Sequence, residues 1–298
     1  MDDVVFSGYQ RDSYLVNAHV PRFGSGEAKG VIDESVRGMD LYILVDVCNY
    51  SLTYSMSGNT NHMSPDDHYQ NLKRIIAAVG GKAKRINVIM PFLYESRQHK
   101  RSSRESLDCA LALQELTHMG VDNIITFDAH DPRVQNAIPL SGFETVRPTY
   151  QFVKGLLDRY DDLIIDSDHM MAISPDEGAT ERAVYLANVL NLDMGMFYKR
   201  RDYTRVVNGR NPIVAHEFLG SSVEGKDVII LDDMISSGDS ILDVAKQLKS
   251  RNAKRIFAAA TFGLFTNGLD KFDEAYESGL IDGVLTTNLI YQTPELLS

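Results

Sequence analysis

The sequence predicts an α/β protein of two similar halves, each a mainly parallel sheet flanked by helices. Two observations carry this. Short apolar runs alternate with segments whose apolar residues recur at helical spacing, which is the pattern of strands linked by helical crossovers. That rhythm completes two cycles, separated by a turn-rich tract from Ile138 to Pro148, which divides the chain into domains 1–145 and 146–298.

The elements follow in order. Leu41 to Val47 reads as a strand, and Tyr69 to Val79 as a helix with Leu72, Ile75, Ile76 and Val79 on one face. Ile86 to Met90 is a strand ended by Pro91, which cannot donate to a ladder. Leu107 to Met119 is a helix stopped at Gly120, and Ile124 to Phe127 is a strand leading into Asp128, Ala129, His130 and Asp131. The second cycle opens with a helix at 149–157 and a strand at Met170 to Ile173, followed by a helix through Val184, Leu186, Ala187 and Leu190. Strands at Gly195 to Tyr198, 228–231, 256–261 and 284–287 complete it, with a helix through Ile241, Val244, Ala245 and Leu248.

At 298 residues and 44% apolar composition the chain can build two real cores. No run of apolar residues is long enough to span a bilayer, and the first residues lack the basic-then-apolar order of a signal peptide. Cys48 and Cys109 stand in no metal-like spacing, so a reduced, cytoplasmic protein is expected. A net charge of −11 argues against nucleic-acid binding. The basic residues are nevertheless clustered, at Arg97 to Arg104 and at Lys199 to Arg210, which points to small anionic ligands or to solvated surface runs.

The most informative stretch is 228–241. An apolar strand ends in Asp232 and Asp233, and a loop of Ser236, Ser237, Gly238, Asp239 and Ser240 opens a helix. Open α/β sheets bind ligands beyond the carboxyl ends of their strands. The unpaired N–H groups and dipole of a helix N-terminus suit a phosphate there. Adjacent carboxylates suit sugar hydroxyls or the Mg²⁺ that accompanies phosphates. An ordinary strand, turn and capped helix has the same residues. Asp176, after a strand and before Gly178, reads as a metal ligand or a helix-capping carboxylate; His130 reads as a metal ligand or a structural histidine. Lys199 and Arg201 end a strand, and 202–217 lacks periodicity, as in a mobile lid that carries cations onto a transferring phosphoryl group.

Seven motifs in order resemble the ribose-phosphate diphosphokinase family, which makes phosphoribosyl pyrophosphate (PRPP). Phe23-Gly-Ser-Gly-Glu27 is similar to the family's adenine loop, and Glu34-Ser-Val-Arg-Gly-Met-Asp40 continues it. Pro91 to Lys100 resembles the run Pro-Tyr-x-x-Tyr-x-Arg-Gln-Asp-Arg, with Arg97, Gln98 and His99 at its end. Asp128-Ala-His130 resembles the Asp-x-His motif, and Ser174-Pro-Asp-Glu-Gly178 the pyrophosphate loop, here Asp176, Glu177, Gly178 and Ala179. Lys199-Arg-Arg201 resembles the catalytic loop, and Asp232-Asp-Met-Ile the start of the PRPP signature.

The resemblance implies two type I phosphoribosyltransferase-like domains, ATP on the first and ribose 5-phosphate on the second. It implies ATP contacts from Phe23, Glu27, Arg97, Gln98 and His99, Mg²⁺ on His130 and Asp176, and catalysis by Lys199 and Arg201. Ribose 5-phosphate would take Asp232, Asp233 and 236–240. A homo-oligomer built from dimers, up to a hexamer, would place the Phe23 loop at a subunit boundary. Neither nucleic acid nor membrane is an expected partner. A catalytically weak paralogue serving as a structural or regulatory partner, and a PRPP-dependent phosphoribosyltransferase, are the alternative readings.

The departures from the family are local. Its signature runs Asp-Asp-Met-x-Asp-Thr-x-Gly-Thr, so Ser236 replaces a carboxylate and Asp239 replaces the glycine. A carboxylate there would repel the sugar phosphate unless it turns outward to cap the helix or a cation intervenes. Ser25 and His99 replace family aspartates. Only 22 residues precede Phe23, without the family's opening strand and helix, which implies a first domain that is shortened, incomplete or derived from a longer parent.

Overall fold

A computed structural model describes residues 13–201 and 213–297. The chain divides into two compact units, Met1–Thr145 and Val146–Ser298.

In the first unit, the short strands β1 (Ala18–His19) and β2 (Val31–Ile32) pair antiparallel, and β3 (Asp40–Leu44) opens the main sheet. A hairpin follows, β4 (Thr53–Met56) and β5 (Asn59–His62). Ser57 and Gly58 turn it with φ of 51° and 78°, the double positive φ that matches the twist of paired strands. Helix α1 (Pro65–Val79) is closed at both ends. Ser64 and Asp67 form a reciprocal capping box, Pro65 begins the helix, and Gly80 ends it in the left-handed region. Then come β6 (Arg85–Ile89), α2 (Asp108–His118), β7 (Asn123–Phe127) and β8 (Gly142–Val146). The sheet order is β3-β6-β7-β8, with β3, β6 and β7 parallel. Leu72, Ile76, Val88, Leu113, Leu116 and Ile124 fill the core between sheet and helices.

The second unit runs α3 (Thr149–Arg159), β9 (Met170–Ser174), α4 (Thr180–Leu190), β10 (Asp193–Arg201), β11 (Ile213–Leu219), β12 (Asp227–Ile235), α5 (Asp239–Lys249), β13 (Arg255–Gly263), α6 (Asp270–Glu277), β14 (Gly283–Thr286) and α7 (Pro294–Leu297). Its sheet order is β11-β10-β9-β12-β13-β14, parallel except for the β10–β11 pair. β9, β12 and β13 are buried along almost their whole length, which is why they read as continuous apolar runs. Ile241, Leu242, Val244, Ala245 and Leu248 turn one face of α5 onto this sheet.

The two ends of this sheet are unlike. At the amino end of β12 and β13, the buried Asp227 receives both arms of the Arg255 guanidinium at 2.9 and 2.7 Å, and Arg255 also reaches Asp162 at 2.8 Å. A buried carboxylate is tolerable when paired in this bidentate way. At the carboxyl end of β9 and β12, Asp176, Asp232 and Asp233 gather, and both neighbours act on Asp232.

Two expectations need correction, and one lies outside what is described. The tract 138–148 is not all turn, because β8 lies within it. Residues 213–217 are not aperiodic loop; they belong to β11, which pairs with β10. Residues 202–212 of the expected lid lie outside the described residues, as do residues 1–12.

Candidate active site

Topology places the site. From β9 the sheet grows to one side through β10 and to the other through β12, so the carboxyl ends of β9 and β12 bound the crevice where such sheets take ligands. The register pairs Ile173 with Ile230. Asp176 follows on one side of that point, and Asp232 and Asp233 on the other.

The strand is longer than the sequence suggests. β12 continues through Asp232 and Asp233 to Ile235, so the acidic pair is inside the strand, with Asp233 buried. The Asp233 amide donates to Asp232 Oδ1 at 2.8 Å. Withdrawal from water, then the charges of Asp233 and Asp176, push the Asp232 carboxyl well above the usual carboxylate range. Asp232 therefore feels both neighbouring carboxylates. Such an excess of negative charge is what a divalent cation or a set of hydroxyl donors relieves.

The loop beyond β12 is also shorter than expected. Asp239 and Ser240 are not loop residues; they are the first residues of α5, and Gly238 is its N-cap, with φ of 81°. Asp239 does not cap the helix either, since it is the first helical residue and the N-cap, Gly238, has no side chain to offer. Its carboxylate oxygens go instead to Lys271 Nζ at 2.6 Å and to the Ser237 hydroxyl at 2.9 Å. These partners hold the carboxyl below its ordinary range, Lys271 first. Gly238 has no alternative, because a Cβ there would stand 2.4 Å from Cζ of Phe272.

Across the crevice, Ser174 Oγ donates to the Asp176 carbonyl at 2.6 Å, and Asp176 Oδ1 accepts from the amides of Gly178 and Ala179 at 2.9 and 3.3 Å. Asp176 is therefore not the N-cap of α4. That position is Ala179, which offers no side-chain cap. The helices that begin at this end thus lack the closure seen at α1, and first-turn donors without a side-chain acceptor suit oxyanions. Lys199 and Arg201 lie within β10, where Lys199 pairs with His216 and Arg201 with Ile213 of β11 across a register shift. Their side chains lie outside the described set.

The remaining groups belong to the first unit. Phe23 is exposed at the tip of a tight turn: its amide donates to the Glu27 carbonyl at 2.7 Å, and the Gly26 amide to the Phe23 carbonyl at 2.9 Å. Ser25 Oγ donates to Glu27 Oε2 at 2.9 Å, and Arg22 reaches the Gly26 carbonyl at 3.0 Å while lying over the Tyr54 ring. Thus the β4–β5 hairpin, absent from the sequence reading, braces this loop. Arg97 is exposed; Gln98 Nε2 donates to the Ser106 carbonyl at 2.7 Å, so it also clamps its own loop.

His130 follows β7, beyond Asp128, which takes a left-handed φ of 40°. Aspartate tolerates this region better than most side chains, so the bend needs no glycine. His99 joins it: the two rings are 5.1 Å apart, and His99 Nε2 lies 3.5 Å from Asp131 Oδ2. Burial and His130 keep the His99 imidazole below its ordinary pKa. Arg133 holds Asp131 down to about 2. The link between His99 and Asp131 was not legible in the sequence.

An N-terminal domain of ribose phosphate pyrophosphokinase matches residues 9–120, and a phosphoribosyl transferase domain matches residues 147–282. The ribose-phosphate pyrophosphokinase of Mycoplasma genitalium is 31% identical over 272 residues, covering 91% of this chain and 74% of the relative. That of Pasteurella multocida is 30% identical over 285 residues, covering 95% and 81%. The chain belongs to the ribose-phosphate pyrophosphokinase family. The phosphoribosylpyrophosphate synthetase of Mycobacterium smegmatis superposes with a TM-score of 0.76 at 25% identity, over 95% of this chain and 84% of that one. Membership gives the uncapped start of α5 and the Asp232–Asp233 pair a shared context. The family also implies Mg²⁺; among the described residues no three His, Cys, Asp or Glu side chains converge as ready-made ligands, and within the second unit Asp176 beside Asp232 offers the hard oxygen that such an ion takes.

Proposed function

We propose that this protein is a ribose-phosphate diphosphokinase, which transfers the β,γ-diphosphoryl group of ATP to the 1-hydroxyl of ribose 5-phosphate and forms PRPP and AMP. The observation that carries this reading is the pairing of a buried acidic strand end with a helix start that has no side-chain cap, within a chain matched by both family domains.

The second domain, 146–298, takes the sugar. The amides around Ser236, Ser237, Gly238, Asp239 and Ser240 receive its 5-phosphate, and Asp232 and Asp233 accept from its 2- and 3-hydroxyls. The first domain, 1–145, takes ATP through Arg97, Gln98 and His99, with Phe23 and Glu27 contributed by a neighbouring copy in a homo-oligomer. The 1-hydroxyl oxygen attacks the β-phosphorus and gives up its proton to solvent, the bond from that phosphorus to the α-phosphate oxygen breaks, and AMP leaves. Asp176, Glu177, Gly178 and Ala179 cradle the transferred group. Lys199 and Arg201 bring positive charge to it as negative charge redistributes. His130 and Asp176 would hold Mg²⁺, which supplies charge neutralisation at the phosphate oxygens. Positioning and electrostatics carry the reaction without a covalent enzyme intermediate.

No helix among the described residues is long and apolar enough to cross a membrane. A reducing, ATP-supplied cytoplasm suits the reaction and the free cysteines. The deciding experiment incubates the protein with ATP, ribose 5-phosphate and Mg²⁺ and follows AMP and PRPP. Stoichiometric AMP and PRPP are expected. Binding of both substrates without AMP would instead favour the noncatalytic paralogue.

A further inference from the structure

The ribose 5-phosphate loop of this chain differs from the family signature in carrying a carboxylate, Asp239, among the amides that receive a dianion. Left alone, that carboxylate would oppose the ligand. It is not left alone. Lys271 Nζ lies 2.6 Å from Asp239 Oδ1, and Ser237 Oγ donates to Oδ2 at 2.9 Å. Lys271 sits in the first turn of α6, and this segment is fastened to the loop at two further points. The Thr266 amide donates to the Ser236 carbonyl at 3.0 Å, with their hydroxyls 3.4 Å apart, and the Phe272 ring closes against Gly238. The backbone that carries Lys271 is thereby held beside the start of α5 by packing that does not depend on the ion pair, and the ion pair fixes the ammonium. Both charged side chains are half exposed, so neither is locked away from an incoming ligand.

We propose that Lys271 is a specificity-determining residue for the sugar phosphate, coupled to Asp239. It cancels the carboxylate's repulsion, and when the phosphate arrives its three N–H donors are shared between Asp239 and a phosphate oxygen. Asp239 acts in turn as a tether that positions the ammonium. This inference rests on the reading of 236–240 as the ribose 5-phosphate loop.

The coupling has a signature that a simple surface ion pair lacks. Lys271→Ala leaves the carboxylate facing the dianion and should weaken ribose 5-phosphate binding by about tenfold or more. Asp239→Gly frees Lys271 for the phosphate and should leave binding equal or tighter. The double variant should recover most of the loss, and Lys271→Arg should stay near the parent. Neutral ribose, tried as a control ligand, should not distinguish the variants.

Isothermal titration with ribose 5-phosphate, alongside thermal melts of the same four variants and the parent, tests this. Recovery in the double variant with melting points held near the parent supports the proposal. Equal affinity in the parent and Lys271→Ala, with only the melting point lowered, overturns it and leaves a purely structural pair. Absence of both ribose 5-phosphate binding and PRPP formation in the parent overturns the underlying reading as well, which separates the two failures.

Discussion

Gly238 rests against the ring of Phe272 so closely that an added Cβ would be 2.4 Å from Cζ, and its φ of 81° lies where side chains are strained. Gly238→Ala should therefore be destabilising twice over, by about 2–4 kcal/mol in all. Thermal unfolding should show a drop on the order of 5–10 °C. Adding Phe272→Leu should return only the steric part. Full recovery would mean that the backbone conformation costs nothing there.

Asp232 trades stability for its place in the crevice. Its carboxyl pKa is raised in the folded protein by burial and by Asp233, so the folded state holds that proton more tightly than the unfolded chain does. Its contribution to stability is complete in acid, below the unfolded value, and is lost as pH rises through the folded value. Asp232→Asn should melt with the parent in acid and above it at neutral and alkaline pH, at about 2–4 °C per kcal/mol relieved. Ribose 5-phosphate affinity should fall at the same time. A variant that melts lower than the parent at pH 8 would contradict this.

Lys199 lies on β10, which pairs with β11 and leaves the parallel part of the sheet. If its charge serves the transition state, Lys199→Ala should lower kcat by about a hundredfold or more and move the KM for ribose 5-phosphate by less than about threefold. Steady-state kinetics would refute the assignment with a raised KM at unchanged kcat.

The thiols should be silent. Burial pushes Cys48 and Cys109 each up to about 12, helped by Asp46 and Glu95 respectively. At pH 8 about one molecule in ten thousand carries either thiolate, so Ellman's reagent should label the native protein negligibly and both cysteines after denaturation. Both values are raised, so folding stability should decline as pH climbs from about 8.5 toward 12. Prompt labelling of the native protein would show that the chain opens locally at these positions.

What could be read from the sequence depended on range. Central strands such as β9 and β12 are buried on both faces, so their apolar runs stood out. The β4–β5 hairpin did not, because its strands are largely polar and exposed; its Ser57-Gly58 turn was the available signal. β8 was hidden by the two prolines that flank it. The acidic pair and the helix start after it were visible because they are adjacent in the chain. Lys271 was not, since it is 32 residues from Asp239 and nothing local marks it. The strand's persistence through Asp232 and Asp233 was also hidden, because carboxylates normally end a buried run.

The unequal ends of the β9–β12–β13 sheet carry a consequence for inheritance. Asp227 and Arg255 neutralise each other at one end, while Asp176, Asp232 and Asp233 crowd the other. Loss of Arg255 would abandon a buried charge and thin the supply of folded protein; loss of Asp232 would leave well-folded protein that has lost its grip on the sugar. Arg255 on β13 and Asp232 on β12, at opposite ends of one sheet, thus fail in opposite ways. Lesions of the first kind should be temperature-sensitive and suppressible by overproduction. Those of the second should persist at every temperature.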